Sequence, residues 1–564
     1  MESYPDWPNL AAMIFDRARQ WPDRPMLRHF RDGAWSVMRW AEFAQKAASV
    51  ARRLRAAGIS AGDRVLIVSE NRPEFPIVET ALMAIRAVPV PAYTTYTTDD
   101  FAHVLRDSGA RVAVLSTADL ARKVIPAGPL DLVIALDNFT EGRVVTAHFD
   151  RLADDSTPPD DIAAEAALIP GTALACLIYT SGTGGAPRGV MLPHRAILSN
   201  CRGAFKLLQI VGTEDHIYLS FLPLSHAYEH TAGQFFMLSL GTEIVYARGV
   251  ETLAADMASV HPTIMTMVPR VLEVIRTRII QQMGREPAWK QWLFRTAIAS
   301  GVKKADRATR SFTEILLEPL LERLVRRKVR QRFGGQLRVT ISGGARLEPE
   351  IGRFYQGLGM LMIQGYGQTE AGPVISANHP SRVRIDSVGP PLEGVDLRIA
   401  ADGEILVRGD LVMDGYWGRP DETANVIRAG WLHTGDIGEL DAEGNLRITD
   451  RKKDIIVLAG GDNISPARIE GMLIAEDPIA QAVVLGDGKP GLTALVVPAE
   501  GFDDIAVASA VNMVNKRLSV TERIRRHAVV APFTIDNGLM TATQKVRRHL
   551  VVKEHAAVLQ KLGA

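Results

Sequence analysis

One stretch of this sequence is built from the residue types that hold phosphate. It reads Tyr179-Thr180-Ser181-Gly182-Thr183-Gly184-Gly185-Ala186-Pro187-Arg188-Gly189-Val190 and follows the apolar run Ala173 to Ile178, a buried-strand pattern. Glycines let a backbone turn sharply and approach a ligand closely, and successive N–H groups and hydroxyls can then hold phosphate oxygens. The stretch lacks the Gly-Lys-Ser/Thr ending of a Walker loop, which argues against a kinase or GTPase loop. Taken alone it fits a phosphate cradle and a plain surface loop equally well. Further stretches carry chemistry-bearing residues: Leu222 to Glu229 with His226, Ser342-Gly343-Gly344-Ala345, and Gln364-Gly365-Tyr366-Gly367-Gln368-Thr369-Glu370. Gly430 to Asp436, Asp450-Arg451-Lys452-Lys453-Asp454, Gly460-Gly461-Asp462 and Met540 to Arg548 with Lys545 complete the set.

The elements that must position these residues alternate. Ala41 to Ala57, Glu74 to Ile85 and Asp99 to Ser108 have helical spacing, and Asp63 to Ser69, Val88 to Tyr93 and Arg111 to Leu115 read as strands. That rhythm predicts a large α/β region of parallel-rich sheets covered by helices. Glu243 to Tyr246, Thr263 to Val268 and Leu337 to Ile341 continue it, and a long helical stretch lies between Glu286 and Phe333. Beyond the charge cluster at 450–454, short strands (Ala482 to Leu485, Thr493 to Val497) and the helix Ala506 to Leu518 predict a small α+β domain. The expected division is 1–452 and 453–564, with a hinge near 451–453.

Composition narrows the class. With 564 residues two or more domains are expected, and 47% hydrophobic residues can fill large cores. A net charge of +1 gives no general case for nucleic acid. Cys176 and Cys201 are the only cysteines, which excludes a disulfide framework and fits packing residues in a reducing compartment. The N-terminus has no apolar signal core and no run of about 18 apolar residues occurs, so a cytoplasmic protein is expected. The segment 320–332 is amphipathic and strongly basic; a solvated face is the favoured reading, and peripheral contact with anionic lipid is the other.

These stretches, in this order and covering nearly the whole chain, resemble the acyl-adenylate-forming superfamily of acyl-CoA synthetases, peptide-synthetase adenylation domains and luciferases. Leu222 to Glu229, Val268 to Glu273, the helical stretch before Ser342 and Arg451-Lys452-Lys453-Asp454 look most like a long-chain fatty-acid–CoA ligase. The resemblance implies ATP, Mg²⁺, CoA and a fatty acid as ligands, and no nucleic acid. It implies that a carboxylate is activated by AMP transfer and then displaced by the CoA thiol.

Roles follow from that resemblance. Thr180, Ser181, Gly182, Thr183 and Gly184 would hold the β- and γ-phosphates, with Arg188 adding charge. Gly343, Gly344 and Ala345 would lie against adenine, within a nucleotide site that also takes in Gln364, Gly365, Gly367, Gln368 and Thr369. Tyr366 would face the base. Thr180 and Glu370 would contact Mg²⁺. Asp436, with Arg451 nearby, would take the ribose hydroxyls, and His226 would line the acyl and adenylate site. Lys545 would reach the α-phosphate and carboxylate and stabilise charge there. Lys453 would be the pivot, and Gly460 and Gly461 would leave room for pantetheine. The sequence departs from the family in having Gly184 where threonine is usual, Arg188 where lysine is usual, and Thr541-Ala542-Thr543-Gln544 before Lys545. An aryl or medium-chain acid, a carrier-protein thiol as acceptor, and a non-catalytic nucleotide-binding homologue are the alternatives.

Overall fold

The structure is a computed structural model that describes residues 3–141, 144–180, 187–213, 215–306, 308–309, 311–460, 462–540 and 546–562. Ser181 to Gly184, Gly461 and Lys545 therefore lie outside the described residues.

The α/β rhythm of the first part folds as the sequence predicts. Strands Val88–Ala92, Arg64–Val68, Val112–Leu115, Leu132–Ala135 and Val145–His148 lie side by side in that order, all parallel. Covering helices bury Val65 to Val68 completely, as the unbroken apolar run demands. Val88–Ala92 contains Pro89 and Pro91, which cannot donate to a ladder, and it stands at the sheet edge. The helix Thr98–Ser108 starts with a capping box: Thr97 accepts from Asp100 N–H while the Asp100 carboxylate accepts from Thr97 N–H.

An eight-stranded sheet supports the candidate site. Its order is Val374–Ala377, Met362–Gly367, Val339–Ser342, Ile264–Met267, Ile217–Ser220, Glu243–Tyr246, Pro25–Arg31 and Ala34–Arg39. The inner pairs are parallel and only the two end pairs are antiparallel. The strands ending at Met267, Ser342 and Gly367 therefore finish on one side, where ligands bind in such sheets. A separate three-stranded sheet contains Leu174–Thr180, Arg188–Pro193 and Gly415–Tyr416. After residue 453 a sheet of Ile479–Leu485, Leu492–Pro498 and Ile524–Val529, with helices Pro466–Ile474 and Asp504–Lys516, encloses its own apolar cluster around Val484, Val496 and Val511.

Two expectations change here. The helical stretch 286–333 is a hairpin: Ala288–Ala305 is followed by Phe312–Leu321, which continues through a π-helical turn, Glu322–Arg326, into Arg327–Gln331. Its basic face is thinner than the sequence suggests. Arg326 is 1% exposed, donates to the carbonyls of Ala297 and Gly357, and pairs with Glu318; Arg330 pairs with Glu322 and donates to Leu358 O. A helical wheel shows which residues share a face, and neighbouring elements decide whether that face meets solvent. Trp431 is half-buried between the guanidinium groups of Arg398 and Arg408, 4.2 and 4.7 Å from its ring.

Candidate active site

A hairpin and a sheet end create one cavity of about 590 Å³. The hairpin is set by register. Leu174–Thr180 and Arg188–Pro193 are antiparallel, with Thr180 directly opposite Arg188. The Thr180 hydroxyl is buried and has no hydrogen-bond partner among the described residues. Gly415–Tyr416 adds to the same sheet with Tyr416 opposite Val190, so the Tyr416 ring lies on the diagonal from Arg188. The Arg188 guanidinium stacks 4.2 Å over that ring and pairs with Glu422 at 3.1 Å. The Tyr416 hydroxyl donates to Glu370 Oε1 at 2.8 Å. One aromatic side chain thus joins the cation of the hairpin to the acid that follows Gly365-Tyr366-Gly367.

The opposite wall holds a second carboxylate. Strands Trp431–Leu440 and Leu446–Arg451 pair Asp436 with Arg451. Tyr366 donates its hydroxyl to Asp436 Oδ2 at 2.7 Å, and Arg451 Nε lies 3.3 Å from Oδ1. Burial, and then the Asp436 charge, push the Tyr366 phenol well above its ordinary pKa, so it stays a donor. Asp436 is 6% exposed, yet it lines the cavity with Tyr366 and Arg451. Such an oriented carboxylate is suited to a vicinal pair of hydroxyls.

Between these walls stands the loop from Leu222. The backbone N–H of Tyr228 donates to His226 Nδ1 at 3.1 Å, which leaves Nε2 as the protonated nitrogen of the neutral ring. Tyr228 reaches the Ile341 carbonyl with its hydroxyl at 3.0 Å and lays its ring against Gly343. A Cβ at residue 343 would sit 2.8 Å from Tyr228 Cζ, so this glycine is needed by the fold before any base enters. Gly344 has φ +79°, the left-handed region.

The cavity has an apolar branch that local motifs did not mark. Ala204 and Leu208 of the helix His194–Leu208 line it with Ala232 and Phe236, and Ile264, Val339 and Ile363 come from the sheet. From Gly343 back to Val339 the branch follows strand direction for roughly 13 Å at the usual rise per residue. Ala232 belongs to the π-helical turn Glu229–Phe235. Two buried carboxylates pin that turn. Glu229 accepts hydroxyls from Tyr218, Ser220 and Thr266, and Glu79 accepts from His230 Nε2 and Gln234 Nε2, each at 2.6 Å. Burial raises the Glu229 carboxyl to about 7 against its hydroxyl partners.

Most of the expected residues meet here. Thr180, Arg188, His226, Gly343, Gly344, Gly365, Tyr366, Gly367, Gln368, Thr369, Glu370, Asp436, Arg451 and Lys453 all line the cavity. Ala345 is exposed and Gly460 is exposed, and neither is in the cavity wall. Gln364 is turned away: its amide donates to Ile385 O at 2.7 Å, as strand alternation requires when Ile363 and Gly365 face the cavity. Tyr228 lies in the Leu222 to Glu229 stretch without an assigned role, and Tyr416 and Glu422 fall outside every stretch the sequence marks. Only strand register reveals Tyr416, and no local pattern announces it. Cys176 and Cys201 are buried thiols, with Cys201 raised to about 12 by burial, consistent with packing residues.

The residues fit a hard divalent cation in part. Thr180 offers an oxygen without a partner among the described residues and Glu370 a carboxylate, the ligand type Mg²⁺ takes. Among the described residues no cluster of three or more His, Cys, Asp or Glu forms a cage, so a cation here would need oxygens from substrate phosphates as well.

Comparison with known proteins agrees with this geometry. The sequence profile of AMP-binding enzymes matches residues 14–417, and that of the AMP-binding enzyme C-terminal domain matches 453–562. The chain is 34% identical over 570 residues to long-chain-fatty-acid–CoA ligase FadD15 of Mycobacterium bovis, covering 94% of this chain and 93% of the relative. It is 31% identical to human long-chain-fatty-acid–CoA ligase 6 over 77% of this chain and 65% of that one. In fold it resembles ATP-bound MatB from Rhodopseudomonas palustris, with TM-score 0.72, 23% identity and coverage of 98% and 99%. It also resembles the Bacillus subtilis O-succinylbenzoate CoA synthetase MenE with ATP and magnesium, with TM-score 0.71, 22% identity and coverage of 95% and 98%. The chain belongs to the AMP-binding enzyme family.

Proposed function

We propose that this protein activates a fatty acid with ATP through an acyl-adenylate and transfers the acyl group to the thiol of CoA, releasing AMP and pyrophosphate. The observation that carries this reading is one cavity with two unlike halves. The Asp436–Tyr366–Arg451 group and the Thr180–Arg188–Glu370 group stand at its polar end, and an apolar branch lined by Ala232, Ile264 and Val339 leaves it. A nucleotide and an acyl chain would meet where these halves join, near His226 and Gly343. There the carboxylate oxygen attacks the α-phosphorus and pyrophosphate leaves; the thiolate then attacks the acyl carbon and AMP leaves. Bound Mg²⁺ would neutralise phosphate charge, held by Glu370 and Thr180. Asp436 would fix the ribose, and Arg188, steered by Tyr416 and Glu422, would meet the outer phosphates together with Ser181 to Gly184.

The division at 451–453 suits the two steps. In our reading Lys453 is the pivot, Lys545 enters for adenylation, and the Gly460-Gly461 turn enters for thioester formation. The exposure of Gly460 outside the cavity fits a segment that approaches only in the second step. Among the described residues no helix is long and apolar enough to cross a membrane. Peripheral contact through 320–332 now rests on fewer free cations than the sequence offered, because Arg326 and Arg330 point inward.

The deciding experiment measures AMP release with CoA and acids of graded chain length, beside aryl acids. Release that depends on both CoA and a fatty acid supports the assignment. Release with aryl acids alone, or only with a carrier-protein thiol, replaces it, and nucleotide binding without turnover would show a non-catalytic homologue.

A further inference from the structure

The helix Thr98–Ser108 turns two side chains toward the hairpin that carries Thr180 and Arg188. His103 and Asp107 stand four residues apart and so share one face. His103 Nε2 lies 2.7 Å from the Pro187 carbonyl oxygen, which makes Nε2 the donor. Asp107 Oδ2 accepts from the Tyr179 hydroxyl at 2.8 Å. Burial, and then the bond to Asp107, push the Tyr179 phenol well above its ordinary pKa, so it stays a donor. Tyr179 and Pro187 come just before Thr180 and Arg188, which strand register places opposite each other. One helical turn therefore holds both strands of the hairpin at the step before these two residues. The packing is close: the rings of His103 and Tyr179 meet edge-on with centroids 6.3 Å apart, and a Cβ at residue 189 would sit 3.1 Å from Tyr179 Cζ.

The other oxygen of Asp107 begins a chain of charges. Asp107 Oδ1 pairs with Arg419 Nη2 at 3.0 Å, and Arg419 Nη1 pairs with Glu422 Oε1 at 3.0 Å. Glu422 Oε2 pairs in turn with Arg188 Nη1 at 3.1 Å. Each inner group gives one atom to each neighbour, so the four side chains alternate in sign. Arg419 immediately precedes the helix Pro420–Val426, and Glu422 stands in its first turn. Arg419 first, with Arg188 adding to it against partial burial, holds the Glu422 carboxyl below its ordinary range. A single exposed ion pair contributes little to stability, but a planar guanidinium held on two sides is fixed in orientation. Arg188 is held in that way, by Glu422 at its edge and by the Tyr416 ring 4.2 Å from its face. Its fork keeps further N–H donors for a phosphate. None of His103, Asp107, Arg419 and Glu422 lines the cavity, so they reach a ligand only through Thr180 and Arg188.

We propose that Asp107 is a positioning residue for the triphosphate: through Tyr179 it sets Thr180, and through Arg419 and Glu422 it sets Arg188, so that hydroxyl and guanidinium meet the outer phosphates in one geometry. His103 adds a third hold at Pro187. The proposal rests on the nucleotide reading of the cavity given above. It goes beyond that reading by naming a residue that no motif marks and that touches no ligand. The alternative is a tie that serves only the fold. The two differ in what they predict for ATP and AMP. AMP lacks the outer phosphates, and its ribose would be held by Asp436 and Tyr366 on the opposite wall. Loss of the Asp107 charge should therefore weaken ATP and spare AMP, whereas a fold defect would weaken both.

Calorimetric Kd values for ATP and AMP on the full chain test it, together with KM values for ATP, fatty acid and CoA in AMP release. Asp107→Asn keeps the shape of the side chain and loses its charge. It should raise the Kd and KM for ATP roughly tenfold and leave the Kd for AMP within about twofold. The KM values for fatty acid and CoA should stay unchanged, and kcat should move less than the KM for ATP. Arg419→Gln breaks the chain of charges without touching Tyr179, and should shift the ATP-to-AMP ratio in the same direction by less. It carries the test if Asp107→Asn does not fold. In a cycle with Arg188→Gln, adding Asp107→Asn should cost less than it does alone, since part of its effect passes through Arg188. An unchanged ATP-to-AMP ratio in both variants, even with a lowered Tm, would overturn the proposal, and so would strictly multiplicative effects in the cycle. Wild type that binds neither nucleotide would overturn the nucleotide reading and this proposal with it. Wild type that binds both, with the ratio unchanged in the variants, would overturn this proposal alone.

Discussion

Tyr366→Phe removes one oxygen atom and leaves the ring where it lines the cavity. The lost group is a hydroxyl that donates at 2.7 Å to Asp436, a carboxylate only 6% exposed. Arg451 at 3.3 Å remains as the partner of the other oxygen. A hydrogen bond to a charged group is worth about 1.5–3 kcal/mol, and each 1.4 kcal/mol is tenfold in an equilibrium constant. If Asp436 must be held in place to receive the ribose hydroxyls, that energy appears in nucleotide binding. The KM for ATP in acid-dependent pyrophosphate exchange, and the Kd for AMP by calorimetry, should rise roughly 10- to 150-fold. Wild type should discriminate against 2′- and 3′-deoxy-ATP, and Asp436→Asn should lose that discrimination, with Tyr366→Phe losing part of it. The variants form a cycle in which enzyme and ligand groups are removed separately. An unchanged KM with a lowered Tm would refute the reasoning, because the bond would then serve only the fold. Full discrimination retained by Asp436→Asn would equally remove the ribose role.

Other outcomes follow from the same geometry. Thr180→Val should leave Tm unchanged or higher, since the hydroxyl has no partner among the described residues, while the Mg²⁺ concentration for half-maximal rate rises; a fall in Tm with unchanged Mg²⁺ dependence would make the hydroxyl structural. Lys545→Ala should nearly abolish adenylate formation yet spare thioester formation from supplied acyl-adenylate, and equal loss of both steps would remove its assigned role. Glu229 gives a pH signature. Its carboxyl is raised to about 7 from an ordinary 4.5, with burial the largest cause, so folding favours the protonated form. The stabilisation is complete below the ordinary value and is lost as pH rises through about 7; at 1.36 kcal/mol per pH unit it amounts to about 3 kcal/mol. Urea midpoints should therefore fall between pH 5 and 8 in wild type by more than in Glu229→Gln, and parallel curves would show that Glu229 does not carry the dependence. Arg188→Lys should keep the charge but lose the flat stack on Tyr416 and the directed contact with Glu422, raising KM for ATP more than it lowers kcat. A purely reduced kcat would instead place Arg188 in the chemical step.

The order of the motifs was readable because each is short and chemically constrained within itself. Gly365-Tyr366-Gly367 cannot be confused with a helix, and Leu174 to Thr180 can only be a buried strand. The strand–helix rhythm of residues 64–115 was equally plain, since parallel strands covered on both faces must be apolar throughout; the strands Leu132–Ala135 and Val145–His148 were not read. What could not be read was which side of a strand a motif residue faces relative to its neighbours. Gln364 sits inside the motif yet points away from the cavity, because its neighbours Ile363 and Gly365 take the inward positions. Gly343 carries the constraint expected of a base-contacting glycine, but the atom that imposes it is Tyr228 Cζ from a segment 115 positions earlier in the chain.

By itself, then, the sequence determined the family: which motifs are present, in what order, and that Thr180, Glu370 and Asp436 belong to them. Local composition decides this, because glycine, hydroxyl and carboxylate have few substitutes for their tasks. The tertiary structure decided the partnerships that make the groups useful. Tyr416 reaches Arg188 through strand register, and Tyr366 orients Asp436 across two sheets. It decided the apolar branch, whose walls come from residues 204 to 363, and it turned Arg326 inward while leaving Phe312 and Leu316 in solvent. Faces are assigned by what packs against them, and that information is spread over the whole chain rather than written beside each residue.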